Sequence, residues 1–238
     1  MSTVLITGSA SGLGHEFIRQ YQVDSSVKQL IGLDKNSTDS NLDVSNERPV
    51  GPKSVHYPRG DLTSKEDLDA HMDFLHDAPV HTVIHSAGIR GLVPSAVEPN
   101  PNDTMTRTYA INTVATFEFI RRLVSNLRRA ATSGVVSKVL VMSSRMGSIS
   151  NDPIGGGYAY RASKAALNAI LKTFSVDVPE VVFVAMHPGC GETGLVKYKE
   201  KGAISANESV TDMRDTIEKL DIGDSGTCVD RWVEKIEW

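Results

Sequence analysis

Two residues in the stretch YRASKAALNAI, Tyr160 and Lys164, combine side-chain types and a spacing suited to proton transfer. On a helix, positions i and i+4 share a face, so a phenol and an ammonium can open on the same pocket. A free phenol has a pKa of about 10, and a cation beside it favours the phenolate and lowers that value. Lys164 is expected to supply that cation. The other tyrosines, Tyr21, Tyr57, Tyr109, Tyr158 and Tyr198, have Ser25, Asp61, Thr113, Ala162 and Gly202 four positions on, so the pairing is peculiar to Tyr160. The competing assignment makes the pair the wet edge of a packing helix whose buried stripe is Ala165, Ala166, Leu167 and Ile170.

The elements that must position this pair follow from the hydrophobic pattern. With 238 residues, 40% of them hydrophobic, the chain fits one α/β domain over 1–238. Short apolar runs alternate with longer amphipathic segments, which predicts a parallel sheet covered by helices on both faces. The first strand, Val4–Ile6, runs into TGSASGLG and then into a helical stretch containing Phe17, Ile18 and Tyr21. Glycine at 8, 12 and 14 allows a tight turn, close approach to a pyrophosphate and close helix packing, so Gly8, Ser11, Gly12 and Leu13 are candidate dinucleotide contacts. The second strand, Gln29–Leu33, ends at Asp34. A carboxylate there can accept from both adenosine ribose hydroxyls and repels a 2′-phosphate, which favours NAD, with NADP possible through Lys35.

A polar loop is expected over Asn36–Pro52, a third strand at Val55–Tyr57, and an adenine contact at Asp61-Leu62. Thr63 or Ser64 then caps a helix through about Leu75. The fourth strand, Val80–His85, ends in HSAG, where small Ala87 and Gly88 let a ribose approach the backbone. Asp103–Arg129 reads as one long helix with Ile111, Val114, Phe117 and Ile120 on one side and Asn112 as a polar residue on it; alternatively, Asn112 is an ordinary exposed amide. The strand Val135–Met142 delivers Ser143-Ser144 to the carboxyl edge of the sheet, the usual ligand side. After a loop over Arg145–Gly157 and the Tyr160 helix, the strand Val181–Met186 ends in His187-Pro188-Gly189. A loop or lid, Cys190–Ser209, leads to a helix at about Val210–Leu220.

Composition restricts the function classes. A net charge of −4 without a basic stripe argues against nucleic-acid binding, and Arg121, Arg122, Arg128 and Arg129 are expected on a solvated or subunit-facing helix edge. The chain shows neither a leader pattern nor an apolar run near ~18 residues, so a cytoplasmic location without membrane partners is expected. Cys190 and Cys228 are expected as free thiols, and none of the histidines has metal-site spacing.

Taken together, TGSASGLG, Asp34, Asp61-Leu62, HSAG, Asn112, VMSSRMG, YRASK and HPGCGET occur in an order that resembles the short-chain dehydrogenase/reductase family over nearly the whole chain. MGSIS, GGGYAYRASKAALN and a final tryptophan are similar to its C-factor and sniffer-type carbonyl reductase branch. The resemblance implies a Rossmann-type, doubly wound sheet of about seven strands, an NAD(P) cofactor and a small-molecule carbonyl or alcohol substrate. It also implies a tetrad of Asn112, Ser144, Tyr160 and Lys164. Tyr160 would exchange the proton, Ser144 would hold the substrate oxygen, Lys164 would bind the nicotinamide ribose, and Asn112 would hold a water leading to solvent. Pro188, Gly189 and Thr193 would seat the nicotinamide carboxamide.

A homodimer or homotetramer is implied through the two long helices, with Phe117, Phe119 and Phe174 offering apolar contact. Three departures from the family pattern stand out: His85-Ser86 in place of the usual Asn-Asn, a long Ser144-to-Tyr160 spacing, and Asp34 in a branch with many NADP-linked members. Two other functions remain open from sequence: a dehydratase or cyclase on the same fold, and a nucleotide-sensing regulatory protein.

Overall fold

The computed structural model describes residues 2–36, 54–93, 95–97, 101–132, 134–151, 153–189 and 203–238. Its frame is a seven-stranded parallel sheet: β1 (Ser2–Thr7), β2 (Val27–Leu33), β3 (Ser54–His56), β4 (Thr82–His85), β5 (Ser137–Met142), β6 (Val181–His187) and β7 (Thr227–Asp230). The strands lie in the order β3-β2-β1-β4-β5-β6-β7. Adjacent residues of one strand face opposite sides. Leu5 and Val139 therefore join one apolar cluster with α2 (Lys65–Leu75), α4 (Thr116–Ala131) and α5 (Tyr158–Asp177). Their neighbours Ile6 and Leu140 join a second cluster with α1 (Gly12–Gln22) and α6 (Ala206–Lys219) on the other face. Burial on both faces is why these strands are continuous apolar runs rather than alternating ones.

β1 pairs with β2 on one side and with β4 on the other, so the chain order reverses beside β1. Parallel α/β sheets form their ligand crevice at such a reversal, outside the carboxyl ends of the strands. The turn after β1 is shaped for it. Gly8 has φ +68°, and a Cβ there would come within 2.8 Å of Ala87 N. A Cβ on Gly14 would lie 2.2 Å from Gly8 O, so only glycine lets α1 start this close to the turn.

The structure corrects several expectations. The long helix over Asp103–Arg129 is broken: α3 (Pro101–Tyr109) and α4 flank a π-helical turn, Ala110–Ala115. Side-chain bonds anchor that turn, with Thr116 Oγ1 donating to Asn112 O (2.9 Å) and Thr113 Oγ1 to Ser163 O (3.1 Å). Threonine bonding of this kind competes with the helical ladder and bends it. The C-terminal helix starts at Ala206, ahead of the expected Val210, because Ser205 caps it by accepting from Glu208 N. Ser64 caps α2 in the same way, through Asp67 N.

β7 is only four residues long and carries no strand signature of its own. Phe119 and Phe174 are buried in the core and cannot offer subunit contact, whereas Phe117 is partly exposed. The clustered arginines are paired with acids: Arg121 with Glu118, Arg122 with Asp69, Arg128 with Glu180 and Arg129 with Asp77. Cys228 is buried and free, its thiol pushed up to about 12 by burial, while Cys190 lies outside the described residues. So do most of the loop expected over Asn36–Pro52 and most of the segment Cys190–Ser209. Among the described residues no helix is long and apolar enough to cross a membrane.

The approach of α1 to the β1 turn is testable. Gly14→Ala is expected to destabilise the fold by about 1–3 kcal/mol, because backbone rather than a flexible side chain must yield to the new methyl. Urea unfolding measures it, and a stability equal to wild type would show that the helix can shift at no cost.

Candidate active site

A cleft of about 380 Å³ opens at the strand-order reversal. Gly8, Ser11, Gly12, Leu13, Asp34, Asp61, Leu62, Ala87, Gly88, Tyr160, Lys164 and Pro188 all line it, so the positions singled out from sequence converge on one wall system. Gly189 follows Pro188 but is not part of the lining, and Thr193 lies outside the described residues. Ile89, Ile111 and Met142 also line the cleft. Nothing in the sequence marks them, since apolar residues in strand and helix patterns read as core.

The glycine turn and the start of α1 form one end. Ser11 flanks α1 without a side-chain cap, leaving the first amide hydrogens of the helix to face a ligand. Beyond the end of β2, Asp34 is held by two backbone donors, Ala10 N (3.2 Å) and Asn36 N (2.8 Å). A carboxylate has about four acceptor sites, and among the described residues these two donors occupy two of them. Asp61 is likewise fixed, accepting from Thr63 N and Thr63 Oγ1, and these bonds hold its carboxyl below the usual range. Lys35 and Arg59 add positive charge there, and Arg59 has no sequence signal beyond its type.

The other end carries Tyr160 and Lys164 of the expected tetrad; Asn112 and Ser144 are not among the residues that line the cleft, whereas Ser143 is. Asn112 is buried, not an exposed amide. Its Oδ1 accepts from Ile89 N (2.9 Å) and its Nδ2 donates to Ile89 O (2.9 Å) and Ser163 Oγ (3.1 Å). That two-way pairing clamps the chain after β4 against α5. Ser144 accepts from Met146 N (3.2 Å) and lies near enough to Tyr160 to lower the pKa of its phenol. The neighbouring Ser143 is instead occupied inside the protein, donating to Asn168 Oδ1 at 2.7 Å. Pro188 is anchored through its carbonyl, which accepts from Ser209 Oγ (2.6 Å).

Lys164 is not on a wet edge. It is 5% exposed and belongs to the buried face of α5 with Leu167 and Leu171; of the expected stripe Ala165, Ala166, Leu167 and Ile170, only Leu167 is fully buried, so the face is rotated. Its Nζ donates to Met142 O (2.6 Å) and stands 5.7 Å from the centre of the Tyr160 ring. Burial holds this ammonium down to about 8. Tyr160 differs from the sequence expectation. Burial raises its pKa; the opposing influences are the Arg90 charge and the nearby Ser144 side chain. The charge that opposes this rise is that of Arg90, three residues after Ala87. A tertiary approach of this kind leaves no i+4 trace in the sequence.

The sequence profile of the family described as short chain dehydrogenase matches residues 2–203. The chain belongs to that family. It is 33% identical over 162 residues to the C-signal of Myxococcus xanthus, covering 67% of this chain and 93% of that protein. In structure it is similar to an NADPH-bound carbonyl reductase from chicken fatty liver, with TM-score 0.86, 22% identity and coverage of 100% of this chain and 99% of that one. It is also similar to the carbonyl reductase Sniffer of D. melanogaster, with TM-score 0.84, 24% identity and full coverage of both chains. The family and the doubly wound sheet are those expected from the motif order, and membership makes the chain an oxidoreductase by family.

Buried Lys164 leaves a signature in stability. Its folded-state value of about 8 lies below the ordinary 10.5, so between those values the folded protein has released a proton that the unfolded chain still holds. The lysine therefore penalises folding most below pH 8, and the penalty is relieved as pH rises toward 10.5. Subtracting the pH profile of Lys164→Met from that of wild type should reveal a gain of roughly 3 kcal/mol across that window. A flat difference would place the ammonium in contact with water.

Proposed function

We propose that this protein interconverts a ketone or aldehyde and an alcohol using a nicotinamide dinucleotide, with Tyr160 as the general acid and base. The observation that carries the reading is the placement of Tyr160 in the same cleft as Lys164 and the glycine turn, with Ser144 near enough to lower the pKa of the phenol. Because burial raises its pKa, the phenol holds its proton at neutral pH, the form that can protonate a developing alkoxide. Ser144 would hydrogen-bond the carbonyl oxygen and orient it toward that proton. Lys164, now bonded to Met142 O, would turn its remaining donors to a ribose. The cofactor, when bound, supplies the hydride.

The cleft fits such a group. Its turn at Gly8 has no room for a Cβ, its helix start carries no side-chain cap at Ser11, and the Asp34 carboxylate lines it as a potential acceptor for ribose hydroxyls. The choice of dinucleotide is divided between two observations. The chicken carbonyl reductase is NADPH-bound, which weighs against the NAD preference expected from Asp34. In this chain Asp34 would repel a 2′-phosphate, and Lys35 and Arg59 would attract it. Asp34 is accordingly the residue that sets the ratio. Asp34→Ala should shift the NADP-to-NAD affinity ratio toward NADP by at least tenfold, or ~1.4 kcal/mol. Calorimetric titration of both oxidised cofactors into wild type and variant decides it, and an unchanged ratio would hand control to Lys35 and Arg59.

The C-signal name of one relative would suit a signalling protein instead. The two readings part on turnover, followed by cofactor absorbance with a panel of ketones. Tyr160→Phe should keep the fold and dinucleotide affinity while losing ~10²–10⁴-fold in rate. Retention of more than about half the wild-type rate would remove Tyr160 from the chemistry.

A further inference from the structure

His85 stands at the carboxyl end of β4, where the family pattern has an amide, and its imidazole is wholly enclosed between the sheet and α4. Both ring nitrogens are engaged: Nδ1 lies 3.0 Å from Thr7 Oγ1 and Nε2 lies 2.8 Å from Thr116 Oγ1. The donors can be assigned from the ends of the chain inward. Thr116 Oγ1 has a single hydrogen, and the carbonyl of Asn112, which can only accept, takes it at 2.9 Å. Thr116 must therefore accept from His85, so Nε2 carries the proton. At the other end Thr7 Oγ1 accepts from Ala87 N (3.2 Å), leaving its own hydrogen for the bare Nδ1.

The result is one directed run. Ala87 N–H donates to Thr7, Thr7 to His85, His85 to Thr116, and Thr116 to the carbonyl of Asn112. A neutral ring suits it, for burial and the charge of Lys164 hold His85 down to about 3. Phe119 packs 5.8 Å from the imidazole and blocks it from turning away.

We infer that His85 is a positioning residue: through Thr116 it fixes the π-helical turn, so that the Asn112 side chain stays clamped on Ile89 in the cleft wall beside Lys164. The run bridges β1, β4 and α4, and its last bond falls within the turn that departs from helical geometry. Asn112 then passes the constraint to Ile89 through two bonds, and the adjoining Gly88 leaves no slack, since a Cβ there would sit 3.2 Å from Asn112 Oδ1 and 3.9 Å from Lys164 Nζ. The inference rests on the oxidoreductase reading only for what the clamp serves.

The test needs a readout that global stability does not move. Thr116→Val keeps the shape and removes the hydroxyl, and Thr116→Ser restores it. Amide hydrogen exchange at Ile89, whose N–H is held by Asn112, should accelerate by at least tenfold in the valine variant. Exchange at Val139 and Val184 in the central strands should stay within about twofold, and the serine variant should recover Ile89 protection. Turnover should fall on the order of 10- to 100-fold with Thr116→Val and return with serine, while the Kd for the dinucleotide changes little.

A second pair separates the two ring nitrogens. His85→Gln can place an amide donor near the Nε2 position and should keep Ile89 protected; the shorter His85→Asn cannot reach Thr116 and should not. Unchanged Ile89 exchange in Thr116→Val, or equal acceleration at Ile89, Val139 and Val184, would overturn the inference. If wild type turned over no carbonyl substrate, the oxidoreductase reading would fail while Ile89 exchange still decided the role of His85.

Discussion

An ammonium almost closed off from water is the constraint around which the functional end of this molecule is arranged. Moving a lysine charge out of water is costly unless strong acceptors replace its hydration, and Lys164 has one printed in the fold itself, the Met142 carbonyl at the end of β5. That carbonyl is available because a parallel strand ends there. The depressed pKa of Lys164 measures what remains uncompensated.

The neighbouring phenol shows how burial and charge divide the work. Tyr160 and Lys164 share a helix face, with the ammonium 5.7 Å from the ring centre, and desolvation dominates the titration of the phenol. Arg90 and Ser144 oppose it from other elements. Burial therefore keeps the Tyr160 phenol in its protonated form at neutral pH. Asn112 contributes at one remove. Its side chain is spent on Ile89 and Ser163, so it builds the wall rather than entering the cleft.

Family membership and fold agree with this architecture, and they also show how far likeness reaches. Structures of 22% and 24% identity share the sheet almost completely. Within that sheet, side-chain hydrogen bonds hold His85 at the end of β4 and Asp34 in the cleft wall.

The sequence by itself determined the parallel sheet, the glycine turn, the order of the site motifs and about half of the lining residues, because these depend on short-range rules. Continuous apolar runs must be buried on both faces, close backbone approach demands glycine, and strand ends in a doubly wound sheet share one edge. The tertiary structure alone decided the rest. Periodicity could not reveal the break at Ala110–Ala115, since its cause is a set of bonds from Thr113 and Thr116 whose partners include a helix fifty residues away. Nor could it show that Lys164 is buried, that the charge of Arg90 acts on Tyr160, or that Phe119 and Phe174 belong to the core. Spacing along a helix fixes which side chains share a face; which face meets water, and which charge from a distant loop arrives there, is settled only when the elements pack.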